Sequence, residues 1–240
     1  MRSERYPTSP QQPSDPSASG RLLITAGPTH EPIDAVRFLG NRSSGTLGIA
    51  LAETAADAGW DVRLALGPTP RHPREHERLD VIHYRSTADL ERTLAEHAPW
   101  CDVLVMAAAV ADYRPLTVGG APVDPSGARK LRRAGGPLTI ELEPTPDLLA
   151  GAAAARRPGQ LLIGFALEPQ AELLDSARRK LERKGVDAIV ANPLETMDAA
   201  DIEAALVTHR GEHARTPGRI PKATFARWLL DQITALRADT

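Results

Sequence analysis

Residues 22–48 read LLITAGPTHEPIDAVRFLGNRSSGTLG, and this stretch decides the fold. Its apolar start is typical of a buried strand that ends in a Gly-Pro-Thr turn, and a second turn of small polar residues leads into an alanine-rich helical pattern. Gly27, Gly45 and Gly48 allow the backbone to approach a ligand closely. A helix N-terminus offers unpaired N–H groups to an anion. The order of strand, glycine turn and helix therefore predicts a phosphate-bearing ligand at the end of a parallel sheet.

The spacing of these glycines matches neither G-x-G-x-x-G nor the G-x-x-x-x-G-K-[ST] phosphate loop. A purely structural alternative is a surface turn in which Ser43 or Ser44 serves as the helix N-cap. The neighbouring Asn41 and Arg42 favour a functional interpretation, because an amide, a guanidinium and two hydroxyls stand together before a helix start. The guanidinium is suited to a phosphate or a carboxylate.

The composition of the chain excludes several classes of protein. Its 240 residues include 29 basic and 31 acidic side chains, so no global field attracts nucleic acid or an anionic membrane surface. No apolar run reaches membrane-spanning length. Residues 1–20 are rich in Pro, Ser and Gln and are predicted to form a disordered tail before one domain over 21–240. The single cysteine, Cys101, predicts a reducing, cytoplasmic location, and its place in an apolar strand predicts a core residue, not a nucleophile.

Apolar runs alternate with helical patterns along the domain. Strands are predicted at 21–26, 61–66, 80–84, 102–107, 161–166 and 187–191, and helices at 44–58, 87–97, 146–156, 171–184 and 222–237. Thr87 is a candidate N-cap of the second helix, and Gly59 ends the first. This alternation predicts an α/β fold, a Rossmann-like three-layer sandwich with a mostly parallel central sheet. The loops after these strands are expected to share one site at the carboxyl edge of the sheet.

Residues 115–145 interrupt the alternation. They are too long and too rich in Pro and Gly for an ordinary connection and are predicted to form a β-flap, in which PLTIELE at 137–143 alternates like an antiparallel strand. The basic cluster RKLRR at 129–133 contains Lys130 and could close over a polyphosphate; a solvated basic loop is the alternative. The cluster has too few aromatic neighbours for a nucleic-acid surface.

Two further segments carry residues of interest. In AAAVADYRP at 107–115 the small side chains leave room for a ring or a sugar, and Asp112 could accept from a hydroxyl or bind magnesium. The alternative is that the alanines only pack and that Asp112 pairs with Arg114 on the surface. Lys180 and Lys184 lie four apart on one helix face, where they could contact a ligand or merely complement the helix dipole.

Taken together, these motifs make the chain similar to the phosphopantothenate–cysteine ligase family, the ligase half of the bifunctional coenzyme A biosynthesis flavoprotein. The resemblance begins with ITAGPTHEPIDAVRFLGNRSSGTLG, and AAAVADYRP, the basic loop, a P-D helix start, GFALE and K-x-x-x-K before ANP follow in the family order over 21–237. No decarboxylase half precedes them, so the likeness is to a stand-alone ligase.

The resemblance implies a reaction. The carboxylate of 4′-phosphopantothenate attacks the α-phosphate of CTP, giving an acyl-cytidylate and pyrophosphate, and the amine of cysteine then displaces CMP. Such a site needs anion-binding N–H groups, Mg²⁺ and cations more than a covalent nucleophile. CTP is favoured by the bacterial-type motifs, whereas eukaryotic-type relatives use ATP. Family members form homodimers in which the flap crosses to the partner.

Roles follow from the resemblance position by position. Asn41 matches the asparagine that handles the acyl intermediate, with Arg42 beside it in the substrate site. Lys130 matches the flap lysine, a catalytic and nucleotide-binding residue, and Asp112 is a candidate magnesium ligand. The implied nucleotide-binding set comprises Gly27, Ser43, Ser44, Gly45, Ala107, Ala108, Ala109, Asp112, Lys130, Pro146, Asp147, Leu148, Leu149, Phe165, Lys180 and Lys184.

The chain departs from the family pattern at several points. Pro28 replaces a second glycine, Thr145 stands where asparagine is usual, and Ile202 replaces an asparagine of the late segment ETMDAADIEAAL. That last change keeps open an alternative, a catalytically altered homologue that binds a nucleotide or phosphopantothenate. A nicotinamide-dependent oxidoreductase is disfavoured, because no G-x-G-x-x-G turn is present and no acidic residue ends the strand DVRLAL.

Overall fold

The computed structural model describes residues 19–124, 130–132, 135–197 and 199–238. Over these residues the helices are α1 (Thr46–Asp57), α2 (Thr87–His97), α3 (Leu148–Ala154), α4 (Leu173–Lys184) and α5 (Lys222–Ala238). The strands are β1 (Arg21–Ala26), β2 (His30–Pro32), β3 (Phe38–Gly40), β4 (Asp61–Leu66), β5 (Leu79–His83), β6 (Val103–Met106), β7 (Tyr113–Val118), β8 (Ala121–Pro122), β9 (Ile140–Pro144), β10 (Leu161–Glu168), β11 (Ala188–Pro193), β12 (Asp201–Ile202), β13 (Ala205–Thr208), β14 (Gly211–Arg215) and β15 (Ile220–Pro221).

Eight strands form the central sheet, in the order β14-β13-β11-β10-β6-β1-β4-β5. The six strands from β11 to β5 are parallel, whereas β13 runs antiparallel to β11 and β14 antiparallel to β13. From β1 the chain first builds outward through β4 and β5 and then returns to place β6 on the other side. The strand order thus reverses between β1 and β6, which is where open α/β sheets bind ligands.

Helices cover both faces of the sheet. On one face α1 and α5 pack against inward side chains such as Ile24, with Phe225 fully buried between the layers. On the other face α2, α3 and α4 bury Leu90 and Leu181 against Leu23 and its neighbours. Since β1 is buried on both faces, its sequence is apolar throughout instead of alternating. The predicted three-layer Rossmann-like sandwich is confirmed.

The predicted strands of the sheet core and all five predicted helices are present, with ends that differ by at most two residues. The flap is a separate three-stranded antiparallel sheet in the order β8-β7-β9, and PLTIELE contributes β9 as expected. The sequence patterns missed the two-stranded β2–β3 hairpin and every strand from β12 to β15. These strands are two to five residues long, and β14, GEHAR, has no apolar alternation.

Two predicted helix caps were wrong. The N-cap of α2 is Ser86, not Thr87, and it forms a capping box in which Ser86 and Asp89 each accept from the other's backbone N–H. The N-cap of α1 is neither Ser43 nor Ser44 but Gly45, which has a positive φ of 69° and therefore favours glycine. The N-cap of α2 is thus one residue before the predicted one, and that of α1 is one residue after Ser44.

The two ends of the domain lie side by side. The N–H of Ser19 donates to the carbonyl of Gly59 (2.9 Å), and Arg237 near the end of α5 donates to the carbonyl of Ser19 (2.8 Å). Of the predicted tail 1–20, residues 19 and 20 therefore belong to the domain, and 1–18 lie outside the described residues. Gly59 follows α1 with a φ of 84°, as expected for a helix stop. Among the described helices none is long and apolar enough to span a bilayer.

Candidate active site

The loops after β1 and β6 are joined by backbone hydrogen bonds beyond the ends of the two strands. Pro28 and Ala109 form a parallel bridge, in which the N–H of Thr29 donates to the carbonyl of Ala109 (3.2 Å) and the N–H of Ala109 to that of Gly27 (2.9 Å). The side-chain hydroxyl of Thr29, fully buried, accepts from the N–H of Ala111 (3.0 Å). The pairing of β1 with β6 therefore continues beyond the ends of the two strands, at the point where the strand order reverses.

Glycines allow the start of α1 to pack closely against the end of β1 and the loop that follows it. Gly27 has a φ of 83°, and a Cβ on Gly45 would lie 3.5 Å from the N atom of Gly27. A Cβ on Gly48 would lie 2.4 Å from the Cβ of Ala26, closer than two such atoms can approach. The hydroxyl of Tyr84 donates to the carbonyls of Ala26 (2.9 Å) and Gly27 (3.1 Å), which pins the turn from the other side. The N-terminus of α1 is therefore fixed at the carboxyl end of β1, where its N–H groups can meet an anion.

The alanines of the β6 loop use their N–H groups within the protein. The N–H of Ala107 donates to the carbonyl of Thr25 (3.1 Å), and that of Ala108 to the hydroxyl of Thr25 (3.2 Å). The N–H of Ala109 is bound to Gly27, as above. Any backbone contact from these alanines to a ligand must therefore come from carbonyl oxygens.

Asn41 reaches this loop from the hairpin that precedes α1. Its side-chain amide Nδ2 donates to the carbonyl of Val110 (2.9 Å), two residues before Asp112. Arg42 is exposed beside it, whereas Ser43 and Ser44 are half-buried. The carbonyl of Ser44 accepts from the hydroxyl of Thr69 (2.8 Å), which ties the segment to the loop after β4. The predicted substrate segment thus lies along the same sheet edge.

Asp112 is exposed, and its backbone is tied to the segment before α3. The N–H of Thr145 donates to the carbonyl of Asp112 (2.9 Å), and the hydroxyl of Thr145 to that of Ala111 (2.5 Å). Pro146 follows, and Asp147 caps α3 by accepting from the N–H of Ala150 (3.1 Å). The threonine that departs from the family pattern therefore joins two predicted nucleotide-binding segments.

Two lysines of α4 connect that segment to β10. Lys180 donates to the backbone carbonyl of Phe165, and Lys184 forms an ion pair with the carboxylate of Asp147. Burial, reinforced by the positive charge of Lys184, lowers the pKa of Lys180 below its ordinary value. Burial raises the pKa of Asp147, but the hydrogen bond from Lys184 and the N–H of Ala150 outweigh it and leave that pKa lowered. A buried ammonium next to a second one is a ready site for phosphate oxygens.

The flap lysine is positioned through its neighbour. Lys130 is exposed, and both backbone groups of Leu131 are bound by residues of the β2–β3 turn, Asp34 and Arg37. Arg132 is described and exposed, whereas Arg129 and Arg133 lie outside the described residues. In the described part of the chain, no contact joins the Lys130 ammonium to Phe165, Lys180 or Lys184. The role of Lys130 therefore stays a prediction.

Some residues singled out from the sequence have their side chains in the core or in ion pairs outside the site. Leu148 and Leu149 are buried core residues, and a Cβ on Gly164 would meet Leu149 at 2.6 Å, so they can serve a ligand only through their backbone. Arg114 pairs with Glu143 across β7 and β9 (2.8 Å), which rules out the alternative of a surface pair with Asp112. Cys101 is fully buried, and burial raises the pKa of its thiol to about 11, as expected of a core residue.

A mainly apolar groove of about 300 Å³ lies between α2 and α3. Leu104 and Leu162 of the sheet line it, and it adjoins the candidate site, because Pro146, Asp147 and Leu148 line it as well. Because it holds few polar groups, the candidate active site is the polar sheet edge and not this groove.

The sequence patterns missed several residues that shape the site. Asp34, Arg37, Tyr84 and the buried Glu31, which accepts from the N–H (2.8 Å) and hydroxyl (2.7 Å) of Thr87, had no assigned role. One local signal was present: an aspartate in a turn often accepts a hydrogen bond from the backbone two residues on, as Asp34 does from Val36. Nothing local marks the contacts of Tyr84 and Glu31, which join segments more than fifty residues apart.

Comparison with known proteins places the chain among characterised relatives. Residues 18–236 match the family described as DNA/pantothenate metabolism flavoprotein C-terminal domain. The chain is 43% identical over 195 residues to the coenzyme A biosynthesis bifunctional protein CoaBC of Mycobacterium bovis (strain ATCC BAA-935 / AF2122/97), covering 78% of this chain and 45% of that protein. It is 44% identical over 174 residues to a cysteine/cysteine sulfinic acid decarboxylase of an unknown prokaryotic organism, covering 72% and 46%.

A solved structure shows the same fold. The crystal structure of the C-terminal domain of a coenzyme A biosynthesis bifunctional protein CoaBC superposes with a TM-score of 0.75 and 34% identity, covering 93% of this chain and 98% of that one. The chain spans about half the length of the curated relatives that it matches.

Proposed function

This chain belongs to the family of DNA/pantothenate metabolism flavoprotein C-terminal domains, and on that premise we propose that it is a phosphopantothenate–cysteine ligase. It would condense 4′-phosphopantothenate with cysteine through an acyl-nucleotidylate, and the reaction would consume a nucleoside triphosphate. Support comes from its similarity to the C-terminal domain of CoaBC, a protein named for coenzyme A biosynthesis.

One observation carries the proposal: the residues implied by the resemblance are joined at the carboxyl edge of the sheet. Asn41 is bound to the loop that ends in Asp112, Thr145 binds that loop to the start of α3, and Lys184 and Lys180 continue the chain of contacts to Phe165. These residues are far apart in sequence, and only the fold brings them into one connected set. A site for a triphosphate and an acid needs this mixture of cations, amide and free helix N–H groups.

In the first step, a carboxylate oxygen of phosphopantothenate attacks the α-phosphorus, and the bond to the β-phosphate oxygen breaks to release pyrophosphate. The chain's contribution is to hold the phosphates and offset their charge. Lys180, which is half-buried, and the α1 N-terminus near Gly45 are suited to this task. Lys130 would add a cation from the flap side.

In the second step, the amine of cysteine attacks the acyl carbon, the carbon–oxygen bond to the nucleotide phosphate breaks, and the amine loses a proton as the amide forms. Asn41 is suited to the oxyanion that develops, because an amide NH₂ has two donors and only one is used by Val110. The second N–H can therefore stabilise the tetrahedral oxygen, and the Val110 contact keeps it oriented.

The co-substrate is proposed to be CTP, with ATP as the alternative. Because the N–H groups of Ala107, Ala108 and Ala109 are already bound, these three residues can offer a base only carbonyl acceptors. Carbonyl acceptors suit the exocyclic amino group that cytosine and adenine share and that uracil lacks. CTP and ATP should therefore outperform UTP.

Magnesium is part of the proposal through Asp112. Among the described residues, no group of three or more His, Cys, Asp or Glu side chains could hold a metal. Mg²⁺ is often held by one or two carboxylates together with substrate phosphates, and an exposed Asp112 at this edge fits that arrangement. When bound there, Mg²⁺ would neutralise phosphate charge.

We further propose a homodimer formed through the flap, as the resemblance implies. The flap and the β2–β3 hairpin expose large apolar side chains at Val36, Phe38, Tyr113, Leu116, Leu138 and Leu142. An exposed set of this size on neighbouring elements is typical of an interface. Sedimentation of the wild-type chain should give twice the monomer mass, and Leu142→Glu should shift it toward monomer.

The proposed function is tested by measuring pyrophosphate release and amide formation with phosphopantothenate, cysteine and each of CTP, ATP and UTP. Wild type is expected to form amide with CTP or ATP, and Lys130→Gln to lose most of that activity. Arg210→Gln is the matched control: it also removes one exposed positive charge, but lies at the opposite end of the sheet, next to His209, whose ring binds the Val186 carbonyl. Nucleotide binding without turnover would instead favour a catalytically altered binding protein.

A further inference from the structure

A buried carboxylate lies in the β2–β3 turn, outside the set of residues assigned above. Asp34 is only 4% exposed, yet carries a side chain that normally stays in water. Its two oxygens divide their hydrogen bonds. Oδ1 accepts from the backbone N–H groups of Val36 (2.9 Å) and Arg37 (2.7 Å), whereas Oδ2 accepts from the Arg37 guanidinium and from the N–H of Leu131 (3.1 Å).

The Oδ1 bonds suffice to close the turn. The carbonyl of Arg37 also accepts from the N–H groups of Ile33 (2.9 Å) and Asp34 (3.1 Å), so the backbone loop is complete without Oδ2. The second oxygen faces outward from the turn, toward the flap. It is therefore available for a purpose other than local structure.

That purpose is visible at Leu131, 97 residues away along the chain. Its N–H is bound by Asp34, and its carbonyl accepts from Nη2 of Arg37 (3.2 Å). One Asp–Arg ion pair thus holds both polar groups of a single flap residue, a two-point attachment that fixes its orientation as well as its place. We call these two side chains the Asp34–Arg37 clamp.

The charge state of the clamp suits a permanent attachment. Hydrogen bonds from the Arg37 side chain, against the effect of burial and together with the N–H groups of Val36, Arg37 and Leu131, hold the pKa of Asp34 well below its usual range. The carboxylate therefore stays charged at any pH at which the enzyme would work.

We propose that Asp34 is a positioning residue: through Arg37 and the backbone of Leu131 it holds the adjacent Lys130 in its working place. This inference rests on the proposed function for the role of Lys130, but the attachment itself does not depend on any activity. The clamp explains how an exposed lysine in a Gly- and Pro-rich flap can serve a site on the sheet edge.

Asp34→Asn separates the two tasks of the carboxylate. An asparagine whose amide oxygen takes the place of Oδ1 still closes the turn, but its NH₂ then faces the N–H of Leu131, donor against donor. The variant should keep its fold and lose the attachment. Asp175→Asn is the matched control, because Asp175 forms an ion pair of the same spacing with Arg178 but is 72% exposed on α4.

The first measurement is the rate of native-state cleavage by trypsin after Lys130 and Arg132, relative to cleavage after the exposed Arg71. Asp34→Asn should raise the relative rate at the flap by about tenfold or more, the factor expected when hydrogen bonds to a charged group are lost. Asp175→Asn should leave it unchanged. An unchanged rate in Asp34→Asn would overturn the clamp.

The second measurement is a cycle of kcat values for wild type, Asp34→Asn, Lys130→Gln and the double variant. If Asp34 acts through Lys130, the two losses will not multiply, and the double variant will be about as slow as the slower single one. Losses that multiply would show a merely structural role and overturn the positioning claim.

The proposed function and the clamp can be disproved independently of each other. Should the wild type form no amide, the proposed function fails, while the trypsin result still decides whether the clamp exists. Should Asp34→Asn not fold, Arg37→Lys replaces it, because lysine keeps the charge but cannot bind Asp34 and the Leu131 carbonyl with one planar fork.

Discussion

The site has a floor and a cover, and they are held together in different ways. The floor, residues 25–29 and 107–112, is joined by backbone hydrogen bonds and by the buried hydroxyls of Thr25 and Thr29. The cover is the β2–β3 hairpin together with the flap strands β7, β8 and β9. Its strands pair through the backbone, and one backbone bond joins Thr145 to Asp112, but further contacts between hairpin, flap and floor use side chains: Asn41 to Val110, Thr145 to Ala111, and Asp34 to Leu131.

This difference has a consequence for how each part tolerates change. Backbone hydrogen bonds do not depend on which side chain is present, so the floor is preorganised wherever glycine or a small residue permits close approach. The contacts that join the hairpin and the flap to the floor depend more on single side chains, so one substitution can weaken them. The floor should therefore break through steric substitutions, and the cover through loss of a single polar group.

The largest effect is expected at Asn41, which joins cover and floor. In Asn41→Asp a carboxylate oxygen faces the carbonyl of Val110, so the orienting bond is lost and two acceptors repel. The donor for the developing oxyanion is lost as well. The rate of amide formation should fall by about 10²- to 10³-fold, the usual cost of removing one oxyanion donor.

Pyrophosphate release in the absence of cysteine serves as the internal control for Asn41→Asp, since the first step does not need that donor. It should persist, and the acyl-nucleotidylate should accumulate. Amide formation at the wild-type rate would show that Asn41 does not connect the two regions in the way its contact suggests.

Next in size is a steric change in the floor. Gly48→Ala places a Cβ 2.4 Å from that of Ala26, so α1 must move away from β1. Overpacking of this kind typically costs about 1–3 kcal/mol of unfolding free energy. Gly151→Ala is the matched control, because that helical position has no atom within 4 Å of the new Cβ and should gain about 0.5–1 kcal/mol from helix propensity.

Urea unfolding of the two variants decides between them. Gly48→Ala is predicted to lower the free energy of unfolding, and Gly151→Ala to raise it. If Gly48→Ala proves as stable as Gly151→Ala, close approach of α1 to β1 is not what fixes the floor.

A smaller effect is expected at the helix caps. Ser86→Ala removes the hydroxyl that accepts from the N–H of Asp89 at the start of α2, whereas the bond from the Ser86 N–H to the Asp89 carboxylate remains, and should cost about 1 kcal/mol. Ser44→Ala should change stability by less than about 0.5 kcal/mol, because Gly45 and not Ser44 is the N-cap of α1. Thermal unfolding measures the stability of both variants. Equal losses of stability in Ser86→Ala and Ser44→Ala would show that Ser44 acts as a cap after all.

The smallest predicted effect concerns pH. Because burial and Lys184 lower the pKa of Lys180, its ammonium should lose its proton at a lower pH than an ordinary lysine. As pH rises through that range, attraction for the triphosphate is lost and kcat/KM for the nucleotide falls. Lys180→Arg keeps its charge and should move the alkaline limb of kcat/KM to higher pH, since this ratio reports the free enzyme. An unmoved limb would mean that Lys180 does not meet the nucleotide.

The sequence predicted the sheet core and its helices because those elements carry strong local patterns. LLIGFA is a continuous apolar run and DVRLAL a largely apolar one, and helices with apolar residues three and four apart lie between such strands. It also predicted the floor, since the ends of adjacent parallel strands meet at one edge whatever their loops contain.

The attachments of the cover could not be predicted in this way. The bond between Asp34 and Leu131 joins residues 97 positions apart through a loop with no periodic pattern. The Ser-Ser pair before Gly45 is typical of a cap, yet the N-cap is Gly45, whose left-handed backbone lies beside Gly27 in the fold. In both cases tertiary contact, and not local propensity, sets the structure.

The most direct test of this account is a crystal structure of the chain with CTP and Mg²⁺. The account predicts the triphosphate at the carboxyl ends of β1, β6 and β10, its α-phosphate within contact of Asn41 and of Lys130 from the same or a partner subunit, and Lys180 on a phosphate. A nucleotide bound in the groove between α2 and α3, or at the sheet edge with Asn41 turned away, would contradict it.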